Sequence, residues 1–223
     1  FLGISLIPAI PLILIGMFGL GWLIERTVIR TLYSRPLDTI LATWGIGILA
    51  QQLIRLSAGG ELRYVELPAA LNESIEIMGA SVSLYRLFIL GVALLLFAVT
   101  WFLFNKTRFG QKIRALTQNS YMAESFGINK GQVYSLTFAY GAALAGIAGA
   151  LVSPLKSVSP EMGTGYVVDA FMVVVMGGVD SLIGTVASSF LIGQMSGVFA
   201  YLSNDTLAKA LVFLIVIVVI RVR

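Results

Sequence analysis

Histidine and cysteine are both absent from this chain of 223 residues. Without cysteine there is no disulfide framework and no thiolate chemistry. Without histidine the commonest general base and the commonest metal ligand are missing. No Gly-x-x-x-x-Gly-Lys-Ser/Thr phosphate loop occurs, so ATP hydrolysis by the chain itself is excluded. Charge is scarce too: 12% of the residues are charged, against about 25% in soluble domains. No catalytic residue, metal site or cofactor is expected.

What is present is apolar. Hydrophobic residues make up 58% of the chain, and the mean hydropathy is +0.93. Such a chain cannot cover a water-facing surface with polar groups, so its solvent is lipid. The fold class expected is all-α: a polytopic membrane helix bundle forming a single domain over residues 1–223. The net charge of +4 reads as the basic bias of cytoplasmic loops, not as a nucleic-acid footprint. The sequence opens at Phe1 inside an apolar run with no basic leader, so both ends are expected to be incomplete and no signal peptide is assigned.

A membrane crossing needs about 20 mostly apolar residues. Leu2–Ile24, Leu37–Leu56, Leu84–Phe104, Val133–Val152, Thr185–Leu202 and Leu207–Ile220 qualify, and Tyr166–Met176 is apolar but short. Arg26, Arg30 and Arg35 follow the first span. Lys106, Arg108, Lys112, Arg114 and Lys130 follow the third, and Arg221 and Arg223 the last. Those ten of the 15 basic residues put three segments, the C-terminus among them, in the cytoplasm. Parity then requires Tyr166–Met176 to cross, with Gly177-Gly178 ending it; a re-entrant hairpin is the alternative. Residues 57–83 carry Glu61, Glu66, Glu73 and Glu76 against Arg63 and fall outside. Within them Ser74–Ile77 and Ser81–Leu84 alternate polar and apolar around Met78-Gly79-Ala80, which reads as a β-hairpin or an irregular loop.

Small residues recur at steps of four. Gly141, Ala145 and Gly149 form one row, Ala142, Gly146 and Ala150 the next, and Gly193 and Gly197 another pair. This spacing serves close helix packing. Lys106–Gly131 is long for a connector and carries Leu116, Met122, Ala123 and Phe126 at near-helical spacing. Gly127 suits the position after a helix end, and Asn129 suits an N-cap. The segment reads as one short amphipathic helix that either lies on lipid or docks a partner. Asp169 is the one carboxylate well inside an apolar segment. It marks either a polar pathway or a structural hydrogen bond. Glu25 and Arg26 read as boundary residues, and Arg55 as an interfacial residue able to snorkel.

Several stretches together resemble the permease subunits of branched-chain amino acid and urea ABC importers. They are Gly21-Trp22-Leu23-Ile24-Glu25-Arg26 with Arg35-Pro36-Leu37, then Thr107-Arg108-Phe109-Gly110-Gln111-Lys112-Ile113-Arg114-Ala115. Met122-Ala123 with Gly127-Ile128-Asn129, the Gly/Ala-rich run from Thr137 to Gly149, and Gly177-Gly178-Val179 with Ser181–Thr185 complete the set. Thr117-Gln118-Asn119 and Gly165–Val175 look more like the urea branch. The chain departs from the family at its start, where about two spans and a histidine-containing segment are expected.

The resemblance implies a multi-pass subunit of the bacterial inner membrane. Its implied partners are a second permease, identical or homologous, two cytoplasmic ATP-binding subunits, and a periplasmic or lipid-anchored binding protein. It also implies a coupling helix that touches the ATPase through Gln118, Met122, Ala123, Gly127 and Ile128. Urea is neutral and polar, so amide and hydroxyl groups suit it, and Thr43, Gln51, Gln52, Tyr166, Asp169 and Met172 are the expected pathway residues. A branched-chain amino acid is the alternative substrate; a passive channel and a membrane enzyme are the competing classes.

Overall fold

The computed structural model describes residues 6–33, 35–62, 64–65, 73–77, 80–202 and 204–222. Leu2, Arg63, Glu66, Met78, Gly79 and Arg223, used in the reading above, lie outside them. The described residues are almost entirely helical. They form α1 (Leu6–Ile24), a π-helical turn (Glu25–Ile29), α2 (Arg30–Leu32), α3 (Pro36–Ala58), α4 (Leu84–Lys106), α5 (Arg108–Gln118), α6 (Ser120–Ser125), α7 (Lys130–Val152), α8 (Met162–Gly177), α9 (Leu182–Leu202) and α10 (Asp205–Val222). Five helices are long and apolar enough to cross a membrane; Met162–Gly177 and Leu207–Val219 are shorter, so Leu207–Ile220, expected as a full crossing, falls short of that length as Tyr166–Met176 does. The all-α membrane architecture expected from composition is the one observed.

The chain divides into two compact units, Phe1–Pro160 and Glu161–Arg223. In the first, α1 and α7 run antiparallel in close contact. A Cβ on Gly21 would stand 2.5 Å from the Ala142 Cβ and 3.1 Å from the Ala139 Cα; one on Gly146 would stand 2.5 Å from Met17. Along this seam α7 buries Ser135, Ala139, Ala143 and Ile147. These recur at a step of four, so one stripe of the helix faces inward. The helix α4 is tied to α7 at both ends of its length: the buried Tyr85 hydroxyl donates to the Leu151 carbonyl at 2.7 Å, and the Thr100 and Tyr140 hydroxyls lie 2.7 Å apart. Two strands, β1 (Ser74–Ile77) and β2 (Ala80–Ser83), pair antiparallel with Ser74 opposite Ser83 and Ile77 opposite Ala80. Of the two readings of this segment the hairpin is the one observed, with its second strand one residue earlier than the alternating run Ser81–Leu84.

The second unit packs α8, α9 and α10 around Met172, Ile192, Val212 and Val216. The α8–α9 turn is tight enough to need glycine. Gly178 has φ +90°, and a Cβ on Gly177 would stand 2.6 Å from the Gly184 carbonyl carbon. Ser181 begins α9, accepting the Gly184 N–H at 3.0 Å, as an N-cap serine does. The helix α8 has 16 residues, which at 1.5 Å per residue is about 24 Å long.

Candidate functional site

The connector between α4 and α7 is two helices, not one. Thr107 caps α5, accepting the Gly110 N–H at 3.4 Å. Gly110 is buried against the Phe104 backbone, where any side chain would collide. Arg114 closes the turn by donating to the Phe104 carbonyl at 2.6 Å. The break comes at Asn119, whose side chain accepts the Met122 N–H at 3.1 Å and starts α6. A polar cap inside a continuing apolar periodicity explains why the spacing alone reads as one helix.

The end of α6 follows a glycine-stop geometry. Gly127 has φ +82°, its N–H donates to the Glu124 carbonyl at 2.9 Å, and the Ile128 N–H donates to the Ala123 carbonyl at 3.1 Å. This is the paired bonding of a Schellman end. Asn129 then caps α7 by accepting the Gln132 N–H at 3.1 Å. Ala123 is buried with Leu116 and Val133, and Phe109, Ile113 and Ile128 pack around them. Of the expected contact residues, Ala123 is therefore not on the surface. It is small because α6 crosses α5 and α7 there. Gln118, Met122 and Gly127 are exposed and Ile128 half-buried. The most exposed apolar side chains of the segment are Tyr121 at 84% and Phe126 at 83%; Phe126 belongs to the periodic set but not to the expected contacts, and Tyr121 to neither.

The π-turn holds the feature that sequence reasoning missed. Glu25 is completely buried. The Tyr33 hydroxyl donates to its Oε1 at 2.6 Å, and the Ser135 hydroxyl donates to its Oε2. The Tyr33 and Tyr134 rings stand 5.1 Å apart. Burial, and then the hydrogen bond to Glu25, hold the Tyr33 phenol above the usual tyrosine range. Arg26 turns outward over the Trp22 ring at 4.9 Å. An open cleft of about 520 Å³ runs beside this cluster, lined by Arg30, Thr31, Tyr33, Tyr121, Glu124, Lys130 and Gly131. It lies between α2, α6 and the first residues of α7. The only sequence signal for Glu25 was an acid at the end of an apolar run, which a boundary residue also gives.

The expected pathway residues fall in separate units. Thr43, Gln51 and Gln52 lie on α3. The Thr43 hydroxyl bonds back to its own helix at the Thr39 and Ile40 carbonyls, 3.0 and 2.9 Å away. Gln51 is half-buried and Gln52 exposed. Tyr166, Asp169 and Met172 lie on α8. Met172 is in the core of its unit, Tyr166 is exposed, and Asp169 is half-buried without a hydrogen bond or ion pair among the described residues. Gly141, Ala145 and Gly149 are exposed, as are Gly193 and Gly197, and each of these glycines faces open space. The α1–α7 seam uses the neighbouring row, Ala142 and Gly146. No group of metal-binding side chains exists among the described residues.

The chain can be compared with known proteins at this point. The profile of the family described as branched-chain amino acid transport system / permease component matches residues 2–220. The high-affinity branched-chain amino acid transport system permease protein LivH of Salmonella typhimurium is 31% identical over 209 residues, covering 89% of this chain and 67% of the relative. The corresponding BraD protein of Pseudomonas aeruginosa is 27% identical over 232 residues, 97% of this chain and 75% of its own length. The ribose import permease protein RbsC of Haemophilus influenzae is 32% identical over 134 residues, 55% of this chain and 42% of its own. No solved structure is a significant match. With a family profile that spans nearly every residue, and a seam, a capped interspan segment and apolar helices that suit it, the chain belongs to the branched-chain amino acid transport system permease family.

Proposed function

We propose that the chain is the membrane subunit of an ABC importer that carries a branched-chain amino acid, and that α5–α6 is the surface on which a cytoplasmic ATPase docks. The observation that carries the docking half is the shape of that segment. It is amphipathic, capped at three points, and anchored by Leu116, Ala123 and Val133, yet leaves Tyr121, Met122 and Phe126 exposed. An ordered helix pair with exposed aromatic side chains fits a groove in a partner. The substrate half rests on kinship. The relatives that match along most of the chain bear amino-acid transport names, and none of those named above bears urea. Urea, expected from Thr117-Gln118-Asn119 and Gly165–Val175, thus lacks support outside those stretches. Asp169 is a carboxylate of the kind that receives an ammonium group.

In this reading a second permease completes the pathway, two ATPases drive it, and a binding protein delivers the solute from outside. The test is reconstitution of the complex in proteoliposomes. Accumulation of labelled leucine that depends on both ATP and binding protein is the expected result. Uptake of urea in place of leucine overturns the substrate, and uptake without ATP overturns the importer.

A further inference from the structure

The buried carboxylate of Glu25 plays no part in docking or in the expected pathway, yet it sits where the π-turn meets α7. Its partners come from different elements: Ser135 from the second turn of α7, and Tyr33 from the end of α2. The helix α7 starts only three residues after Gly127 closes α6, and its first turn is held to α6 by Val133 against Ala123. The first two turns of α7 thus meet α6 through Val133 and the π-turn through Ser135. The backbone at Glu25 is specialised as well. The Arg30 N–H donates to the Glu25 carbonyl five residues back. Such π-turns are rare and recur at functional sites. They widen the helix by one residue and turn a side chain inward that an α-helix would carry past.

We infer that Glu25 is a positioning residue: through Ser135 and Tyr33 it latches the π-turn of α1 to the start of α7, so that a displacement of α5–α6 is carried into the α1–α7 pair. This rests on α5–α6 being the ATPase contact. Packing alone does not need a carboxylate at that point, since the seam from Ile13 to Gly21 closes on apolar and small residues. A buried acid between two hydroxyls makes directional bonds, and directional bonds fix register as well as proximity.

The experiment uses the reconstituted complex and reads solute moved per ATP hydrolysed. Glu25→Leu removes both acceptors. It is expected to keep the ATPases bound and hydrolysing while solute per ATP falls about tenfold, as loss of a buried hydrogen-bond pair allows. Glu25→Gln keeps an acceptor for Ser135 and a polar partner for Tyr33, and restores the ratio to within about threefold. Ser135→Ala lowers the ratio severalfold. An unchanged ratio in Glu25→Leu overturns the latch. If that variant does not reach the membrane, Ser135→Ala decides, and an unchanged ratio there overturns it equally. Failure of the unaltered chain to retain ATPases is a different result: it removes the docking surface and the latch together.

Discussion

At the scale of single residues, the α1–α7 seam turns on the missing side chain of Gly21. The Ala142 Cβ and the Ala139 backbone occupy the space a Cβ would need, so even one methyl forces the helices apart. Gly21→Ala is expected to destabilise the chain by about 1–3 kcal/mol, the usual cost of overpacking a tight contact. Gly141, also on α7, has nothing near its would-be Cβ. Gly141→Ala is expected to be neutral or to stabilise the helix by up to about 1 kcal/mol. Thermal unfolding of the purified chain in detergent compares the two, and equal effects would remove the seam. The four-residue rows were plain in the sequence, but which row faces the partner was not. Two adjacent rows of small residues on one helix carry the same periodicity. Only the position of α1 chooses between them.

At the scale of elements, the α5–α6 pair separates residues that order the segment from residues free to touch something else. Ala123 belongs to the first group. Ala123→Arg places a charge among Leu116 and Val133, and such a charge without a partner costs several kcal/mol. The expected result is a segment cut rapidly by protease in membranes, with ATPase binding lost as a consequence. Phe126→Ser and Tyr121→Ser alter exposed side chains. They are expected to leave the protease pattern unchanged and to reduce ATPase co-purification about tenfold or more, as loss of an aromatic anchor does. Intact docking in both serine variants would mean that these aromatic side chains rest on lipid. The sequence made the spans, the hairpin, Gly127 and Asn129 legible, because length, alternation and capping chemistry are local properties. The split at Asn119 and the π-turn were not legible. In each a periodicity continues through the break: a polar cap interrupts it at Asn119, and the buried Glu25–Ser135 bond accompanies the π-turn.

At the scale of the whole molecule, lipid-facing area and charge asymmetry dominate. No residue in the apolar window of α3 is buried, although the helix is long enough to cross a membrane, so its energetics depend on lipid or on other subunits rather than on its own unit. The expected orientation rests on the cations. Arg26, Arg30 and Arg35, then Lys106 to Lys130, then Arg221 lie on segments separated by even numbers of apolar helices, provided the two shorter ones, α8 and α10, both count as crossings. At about 24 Å, α8 is shorter than the hydrocarbon layer of about 30 Å, and local thinning of the bilayer accommodates such a mismatch at modest cost. If α8 crosses, the exposed Val179 beyond its end faces the cytoplasm with Lys112, while Ser81 on β2 faces outward. The absence of cysteine makes the test clean, because each introduced thiol is the only one in the chain. Single-cysteine variants at Lys112, Val179 and Ser81 are labelled in intact cells with a membrane-impermeant maleimide, and again after permeabilisation. Only the Ser81 variant is expected to react in intact cells, and all three after permeabilisation. Labelling of the Val179 variant from outside would make α8 a re-entrant helix, since its end would then return to the face on which it began. Labelling of the Lys112 variant from outside would invert the molecule and take α5–α6 away from any ATPase.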